Sequence, residues 1–269
     1  MAPYSVLMSV YKKENPSYFE AALLSMLNQT QKPAEIVLVE DGALTDALYA
    51  VIEKYKGVLH LVINRENMGL GPALNRGLLV CSNELVARMD TDDISIPERC
   101  EKQLRLFENN GDLDLCGGDI AEFIGTEDNV VAKRRVPVDD ESIKRYMQTR
   151  CALNHMTVMF KKSAVISSGN YQEWFWNEDY YLWIRMMQNN CVFANTGDVL
   201  VYVRTGEDMY ARRGGRAYYM SEKRLQRYML DNKLISKTVY AKNVGKRFIL
   251  QRLLPNKLRG WVYRRFARG

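Results

Sequence analysis

Apolar residues recur along the chain in two alternating rhythms. A short apolar run over 5–10 precedes the breaker Asn15-Pro16, and Phe19, Ala22, Leu23, Met26 and Leu27 then follow at helical spacing, which predicts strand, loop and helix. The strand signal returns over 35–39, ends on Glu40-Asp41-Gly42, and gives way to Leu44, Leu48, Val51, Ile52 and Tyr55 at the helical period. Residues 60–63 predict a third strand, 71–79 a helix, 85–89 a fourth strand, and 97–110 a helix with proline in its first turn. Strands alternating with crossover helices predict an α/β fold, a mostly parallel sheet flanked by helices on both faces. Such sheets bind ligands beyond the carboxyl ends of their strands. Tyr11, Asp41 and the run Asp90-Thr91-Asp92-Asp93 fall there.

The later pattern is less regular, with a helix predicted over 140–149, a strand over 157–160, a helix over 179–188 and a strand over 199–203. There is no internal repeat and no low-complexity linker. The expected organisation is one continuous fold in two halves, 1–116 and 117–205, followed by a segment 206–269 of different composition.

That difference is one of charge. Residues 1–203 hold 20 basic and 28 acidic side chains, a net of −8, whereas residues 204–269 hold 18 basic and 4 acidic, a net of +14. An anionic partner is expected for the last quarter: phospholipid head groups, nucleic acid or a pyrophosphate. From Lys242 onward Phe248, Ile249, Leu250, Leu253, Leu254, Leu258, Trp261, Val262 and Phe266 are interleaved with basic residues, and no acid occurs. A helix lying in a membrane interface would read this way, broken at Pro255. So would a C-terminal helix packed on the body with a solvated basic face. Nucleic acid is not expected, because no recognised binding motif accompanies the charge.

With 47% hydrophobic and 26% charged residues over 269 positions, the chain can bury a substantial core and is no disulfide-stapled module. Its five cysteines show no C-x-x-C spacing and only His60 and His155 could assist them, which excludes the usual zinc sites and predicts reduced thiols in a cytosolic setting. The N-terminus lacks a basic leader and a small-residue cleavage site. No apolar run reaches the roughly 18 residues of a spanning helix.

Three carboxylates within four residues at a strand end repel one another unless a cation or several donors compensate. Hard oxygen ligands select Mg²⁺ or Mn²⁺, which commonly bind one or two carboxylates together with substrate diphosphate oxygens. The competing reading is an acidic loop with Asp93 capping the next turn. Asp41, before Gly42, could accept from a nucleobase or ribose, or cap a helix. Asn177-Glu178-Asp179 opens a helix behind Trp174, Phe175 and Trp176, and a carboxylate there suits proton abstraction from a sugar hydroxyl as well as simple capping. The chain has no dinucleotide fingerprint, phosphate loop or nucleophile elbow, and dehydrogenase, P-loop kinase and esterase readings fall away.

Five ordered motifs resemble family 2 glycosyltransferases of the GT-A fold: S-V-L-M-S-V-Y (5–11), V-L-V-E-D-G (37–42), N-x-G-L-G-x-A-L-N-x-G-L (67–78), A-R-M-D-T-D-D-I-S-I-P-E-R (87–99) and N-E-D-Y-Y-L-W-I-R (177–185). The wording is nearest to the amylovoran-type exopolysaccharide and O-antigen subgroup. The resemblance implies that Tyr11, Asp41 and Asn67 hold the nucleotide, that Asp90 approaches the ribose or the metal, that Asp92 is the main ligand of Mn²⁺ or Mg²⁺, and that Asp179 is the catalytic base. A phosphate-binding arginine would come from Arg88, Arg204, Arg212 or Arg213. His155, Trp176 and Glu178 would face the acceptor. Glu40 departs from the aspartate of many relatives, and no histidine follows residue 155 to complete a metal shell. The implied activity is inverting transfer of a hexose, galactose first, from a UDP-sugar donor to a lipid-diphosphate-linked bacterial surface glycan. The implied location is cytoplasmic, peripheral on an anionic membrane surface, with 206–269 acting as a basic lid and membrane-associating helical tail. A catalytically silent sugar-nucleotide-binding regulator and a nucleic-acid-binding protein acting through its tail are the alternatives.

Overall fold

The computed structural model describes residues 1–206 and 214–254. Among them β1 (Tyr4–Val10), β2 (Glu35–Asp41), β3 (Leu59–Asn64) and β4 (Leu85–Arg88) alternate with α1 (Pro16–Leu27), α2 (Asp46–Tyr55) and α3 (Leu70–Val80). Then come β5 (Ile94–Ser95), α4 (Arg99–Asn109), β6 (Leu113–Phe123), β7 (Val130–Arg134), α5 (Asp140–Met147), β8 (Met159–Lys161), α6 (Lys162–Ser167), α7 (Glu178–Gln188) and β9 (Val192–Arg204). Two helices follow, α8 (Arg216–Asp231) and α9 (Lys237–Phe248).

One curled sheet runs through the molecule in the order β3-β2-β1-β4-β8-β6-β9-β5, with β7 on the free end of β6. The first four strands pair in parallel, as their crossover helices require. The later half is mixed: β6 and β9 are parallel, while β4–β8, β6–β8, β6–β7 and β5–β9 are antiparallel. The expectation of a mostly parallel sheet therefore holds only for the first half. Alternation of side chains along each strand divides the core in two. Leu7, Val37 and Val39 face α3, α7 and α8, whereas Val6, Met8, Ile36 and Leu38 face α1, α2 and α4.

Strand β6 is the largest element absent from the pattern reading. Its Cys116-Gly117-Gly118-Asp119 centre resembles a turn, yet all of 115–123 is buried. A Cβ on Gly118 would stand 2.5 Å from Leu200, so glycine lets β9 approach. The strand also crosses 116/117, joining the two expected halves covalently and through the sheet.

The described part of 206–269 packs on the body. Leu225 and Met229 of α8 are fully buried in the core. Asn243 of α9 donates to the Gln148 carbonyl (2.9 Å) and to Gln226 Oε1 (2.7 Å). Arg247 pairs with Glu222 and donates to the Thr149 carbonyl at 2.8 Å. Up to Phe248 the packed-helix reading is the one realised, and beyond it Ile249 and Leu253 are exposed. Residues 255–269, which carry Pro255, Trp261 and Phe266, lie outside the described residues.

Candidate active site

Asp41 ends β2 and is buried among donors of its own chain. Its Oδ1 accepts from Asn64 Nδ2 and from the Met68 amide, each at 2.9 Å. Its Oδ2 accepts from Asn67 Nδ2 (2.9 Å) and the Gly69 amide (3.0 Å). Asn64 stands opposite Asp41 in the β2–β3 register, which delivers the first of these donors. The turn after Asp41 is tight: Gly42 has φ +82°, and a Cβ there would lie 2.7 Å from the Asn67 nitrogen. About four acceptor directions belong to a carboxylate, and here the chain fills them. Asp41 and Asn67 are thus brought together as a joint between β2 and the start of α3. Tyr11 is exposed and follows Val10 of β1, which stands opposite Glu40 in the β1–β2 register.

The second strand end is charged differently. Arg88 closes β4, lies 1% exposed, and pairs through Nη2 with Asp90, while its Nε and Nη1 are buried without a partner. Oxygens of Asp90, Asp92 and Asp93 lie within 4.8 Å of one another. Burial and then the neighbouring Asp90 push Asp92 up to about 6. Burial and the charges of Asp92 and Asp90 hold Asp93 well above the usual range, although it accepts from the Arg204 amide at 2.9 Å. A fourth acid, Glu14 in the β1–α1 loop, is pushed up to about 7 by burial, Asp92 and Asp90. Pattern reading missed Glu14; the signal was its place three residues past Tyr11, since β1 and β4 are sheet neighbours.

Arg204, at the end of β9, is a staple. Its guanidinium lies 3.8 Å from the Tyr18 ring centre and 4.7 Å from that of Phe123. Its Nε donates to the Asp92 carbonyl (3.1 Å) and its Nη1 to that of Gly125 (3.2 Å). Arg212 and Arg213 lie outside the described residues.

The third cluster meets the second. Glu178 and Asp179 form the first turn of α7, which Asn177 anchors by donating to Ser221 Oγ at 3.1 Å. Burial, then Asp179 and, more weakly, Asp90 push Glu178 up to about 7. Burial raises Asp179, offset by the amide of Tyr180 (2.7 Å from Oδ1) and by the charges of Arg88 and Arg134. His155 bonds Tyr171 Oη through Nε2 at 2.9 Å, within an aromatic group that includes Trp183. Burial and then Arg88 lower His155 well below its ordinary value, leaving a neutral ring at pH 7. Tyr171 is itself fixed by Asn75 of α3, whose side chain bonds both its amide (2.9 Å) and its carbonyl (2.7 Å). Trp174 is core, 4.3 Å from the Tyr181 ring centre. Trp176 is exposed, has φ +57° and stacks on Phe175.

Arg88 is therefore the buried hub: it pairs with Asp90 and acts electrostatically on His155, Tyr171, Glu178 and Asp179. Strand-end acids and helix-start acids thus lie within electrostatic reach of one guanidinium and, through Asp90 and Glu178, of each other, an arrangement suited to binding a charged donor and removing a proton from an incoming group. The model of glycosyl transferase family 2 matches residues 5–174, which contain the first four motifs and the hub itself. The chain belongs to that family. This glycosyltransferase is 40% identical to the amylovoran biosynthesis glycosyltransferase AmsE of Erwinia amylovora, over 99% of this chain and 100% of that one. It is 35% identical to the Escherichia coli UDP-Gal:alpha-D-GlcNAc-diphosphoundecaprenol beta-1,3-galactosyltransferase, over 98% of this chain and 96% of that one. The crystal structure of S. aureus TarS 1–349 in complex with UDP-GlcNAc superposes with a TM-score of 0.65 at 17% identity, covering 97% of this chain and 78% of that one. That likeness supports the GT-A fold of the glycosyltransferase.

Proposed function

We propose that the glycosyltransferase catalyses inverting transfer of a hexose, galactose in the first instance, from a UDP-sugar to a sugar carried on a lipid diphosphate. The observation that carries the reading is the Arg88 hub, which pairs with the strand-end acid cluster and acts electrostatically on the helix-start acid pair. The donor and acceptor classes are supported by the name of the Escherichia coli relative, which states UDP-Gal and a GlcNAc-diphosphoundecaprenol, and the polysaccharide setting by that of the Erwinia relative.

The residues fit a divalent cation. Asp90, Asp92 and Asp93 offer only oxygens, and burial together with their mutual repulsion raises Asp92 and Asp93. Asp93 is engaged by the Arg204 backbone, so Asp90 and Asp92 would hold Mn²⁺ or Mg²⁺. When bound, the ion supplies Lewis-acid stabilisation of the departing diphosphate. Asp179 takes the proton of the acceptor hydroxyl as its oxygen attacks the anomeric carbon. The bond from that carbon to UDP breaks, so the configuration inverts in a single displacement. Neutral His155 and Glu178 orient the acceptor sugar, and Arg88 keeps the two acid groups close despite their repulsion. Tyr11, Asp41 and Asn67 shape the nucleotide side. Arg212, outside the described residues, is proposed as a further donor contact, and Trp176 as an apolar wall for the acceptor.

We place the enzyme at the cytoplasmic face of a membrane, held peripherally. Among the described residues no helix is long and apolar enough to cross one. Exposed Phe248, Ile249 and Leu253 at the end of α9 supply apolar contact, and the basic segment supplies charge. Loss of the vesicle binding of residues 1–269 on truncation after residue 241 is the expected result.

General-base assistance contributes roughly 10²–10⁴-fold. Asp179→Asn should therefore lower turnover by at least about 10²-fold while calorimetry still detects UDP with Mn²⁺. Transfer by this variant at the unaltered rate overturns the base assignment. A wild-type protein that binds UDP but transfers to no acceptor sugar diphosphate would be the silent binder instead.

A further inference from the structure

Beside the start of α7 a cavity of about 520 Å³ opens between the 174–176 turn and α8. Trp174, Phe175, Ala217, Met220, Ser221 and Arg224 line it. Positions 217, 220, 221 and 224 recur at helical spacing, so one stripe of α8 faces the turn. Its wall is unusual for a surface: Phe175 is 51% and Met220 50% exposed, although both are large and apolar. Trp176 continues the apolar face by stacking on Phe175 at 5.2 Å and meeting Tyr218 at 5.9 Å. Contiguous exposed apolar surface of this kind marks a binding face.

Among the described residues that line the groove, Arg224 is the one cation. Arg224 rests over the Trp174 ring at 4.3 Å, and among the described residues it has no carboxylate partner. A guanidinium held on an aromatic face beside an apolar wall is complementary to an anionic head joined to a hydrocarbon chain. The site's position selects which one. The 174–176 turn runs through Asn177 directly into Glu178 and Asp179, and Asn177 is tied to Ser221 of the groove itself. A sugar whose hydroxyl meets Asp179 would therefore extend its aglycone along this groove.

We infer that the groove between the 174–176 turn and α8 seats the acceptor's lipid diphosphate, with Arg224 on the diphosphate and Phe175, Met220 and Trp174 on the first isoprenoid units of the chain. The inference rests on the lipid-diphosphate acceptor reading above and adds a second recognition element, one that reads the carrier and not the sugar. Recognition by chain and phosphate together would let the enzyme ignore free sugars carrying the same hydroxyl.

The test is binding, so that it does not depend on transfer. Full-length protein is titrated with geranylgeranyl diphosphate below its micellar concentration and with inorganic pyrophosphate, followed by tryptophan fluorescence and calorimetry. The isoprenoid diphosphate should bind at least roughly tenfold tighter than pyrophosphate, from the apolar area covered. Phe175→Ser and Met220→Gln, both at exposed positions that folding tolerates, should each erase most of that advantage. Arg224→Gln should weaken both probes, by roughly tenfold for the loss of a charge-assisted contact. Equal affinity of the wild type for the two probes, or an advantage that survives Phe175→Ser and Met220→Gln, overturns the groove. Transfer assays on methyl and long-chain sugar diphosphates run in parallel: failure with every acceptor defeats the proposed reaction, whereas transfer that is indifferent to chain length defeats only the groove.

Discussion

Two acidic strand ends flank β1 in this sheet and are built on opposite principles. At the end of β2, Asp41 has four donors from its own chain and joins strand to helix. Past the end of β4, Asp90, Asp92 and Asp93 crowd together with Glu14 near them, and burial plus mutual repulsion push Asp92 to about 6 and Glu14 to about 7. The first carboxylate is satisfied by folding. The second group is left wanting positive charge, which Arg88 and, for Asp92, Arg204 partly supply. A sequence position alone does not tell an acid that completes the fold from one that the fold holds in reserve for a ligand; the donors around it do.

The sharpest way to break this comparison is to remove the hub. Breaking a buried pair by deleting one partner typically costs about 3–5 kcal/mol, and Arg88→Met should do so while leaving Asp90 without its ion-pair partner and weakening the compensation of Glu178 and Asp179. The loss, measured by urea unfolding, should be largest near pH 8 and shrink towards pH 5 as Glu178 and Asp92 take up protons. A pH-independent loss would mean that Arg88 serves packing alone.

Asp41→Asn tests the other side. An amide can accept at one atom only, so two donors would be stranded, at a cost of about 2–4 kcal/mol. No loss of stability would show that the joint is dispensable.

Glu178→Gln should act in the opposite direction. A carboxyl raised from 4.5 to about 7 on folding favours the protonated folded state, so its cost to stability grows as pH rises from its unfolded to its folded value and is complete above pH 7. Neutral glutamine removes that cost. A gain of up to about 2 kcal/mol is expected at pH 8 and little at pH 4, together with slower transfer. Melting temperatures at the two pH values, with rates alongside, check this.

The smallest effect is expected for Asp92→Asn. Relieving its repulsion should stabilise the cation-free protein by about 1 kcal/mol once solvent screening at this site, whose surface is open although its surroundings desolvate the carboxylate, is allowed for. Calorimetry should show that the Mn²⁺ dependence of UDP binding is lost. A destabilised variant that kept its cation response would make Asp92 another Asp41.

Much of this was open to reading from the pattern. The four leading strands, their crossover helices and the acids at the carboxyl ends follow from local periodicity, because each βα unit is closed within a few tens of residues. The family motifs, with Arg88, Asp90, Asp92 and Asp179 among them, are equally local. Strand β6 escaped because its two central glycines look like a turn until β9 and the 154–157 segment are packed on them. Glu14 escaped because a lone glutamate in a loop carries no periodic signal. Trp174 and Trp176 look alike in sequence, yet one is core and the other surface.

By itself, then, the sequence determined the parallel first half of the sheet and the family to which the chain belongs, since both rest on short-range spacing and ordered motifs. Only tertiary structure decided the mixed second half, the saturation of Asp41, the approach of Glu14 to Asp90 and Asp92, the convergence of His155 and Tyr171 around Arg88, and the packing of α8 and α9 against the body. These depend on contacts between segments tens to more than a hundred residues apart, where burial and partner supply, not residue type, determine what a charge can do.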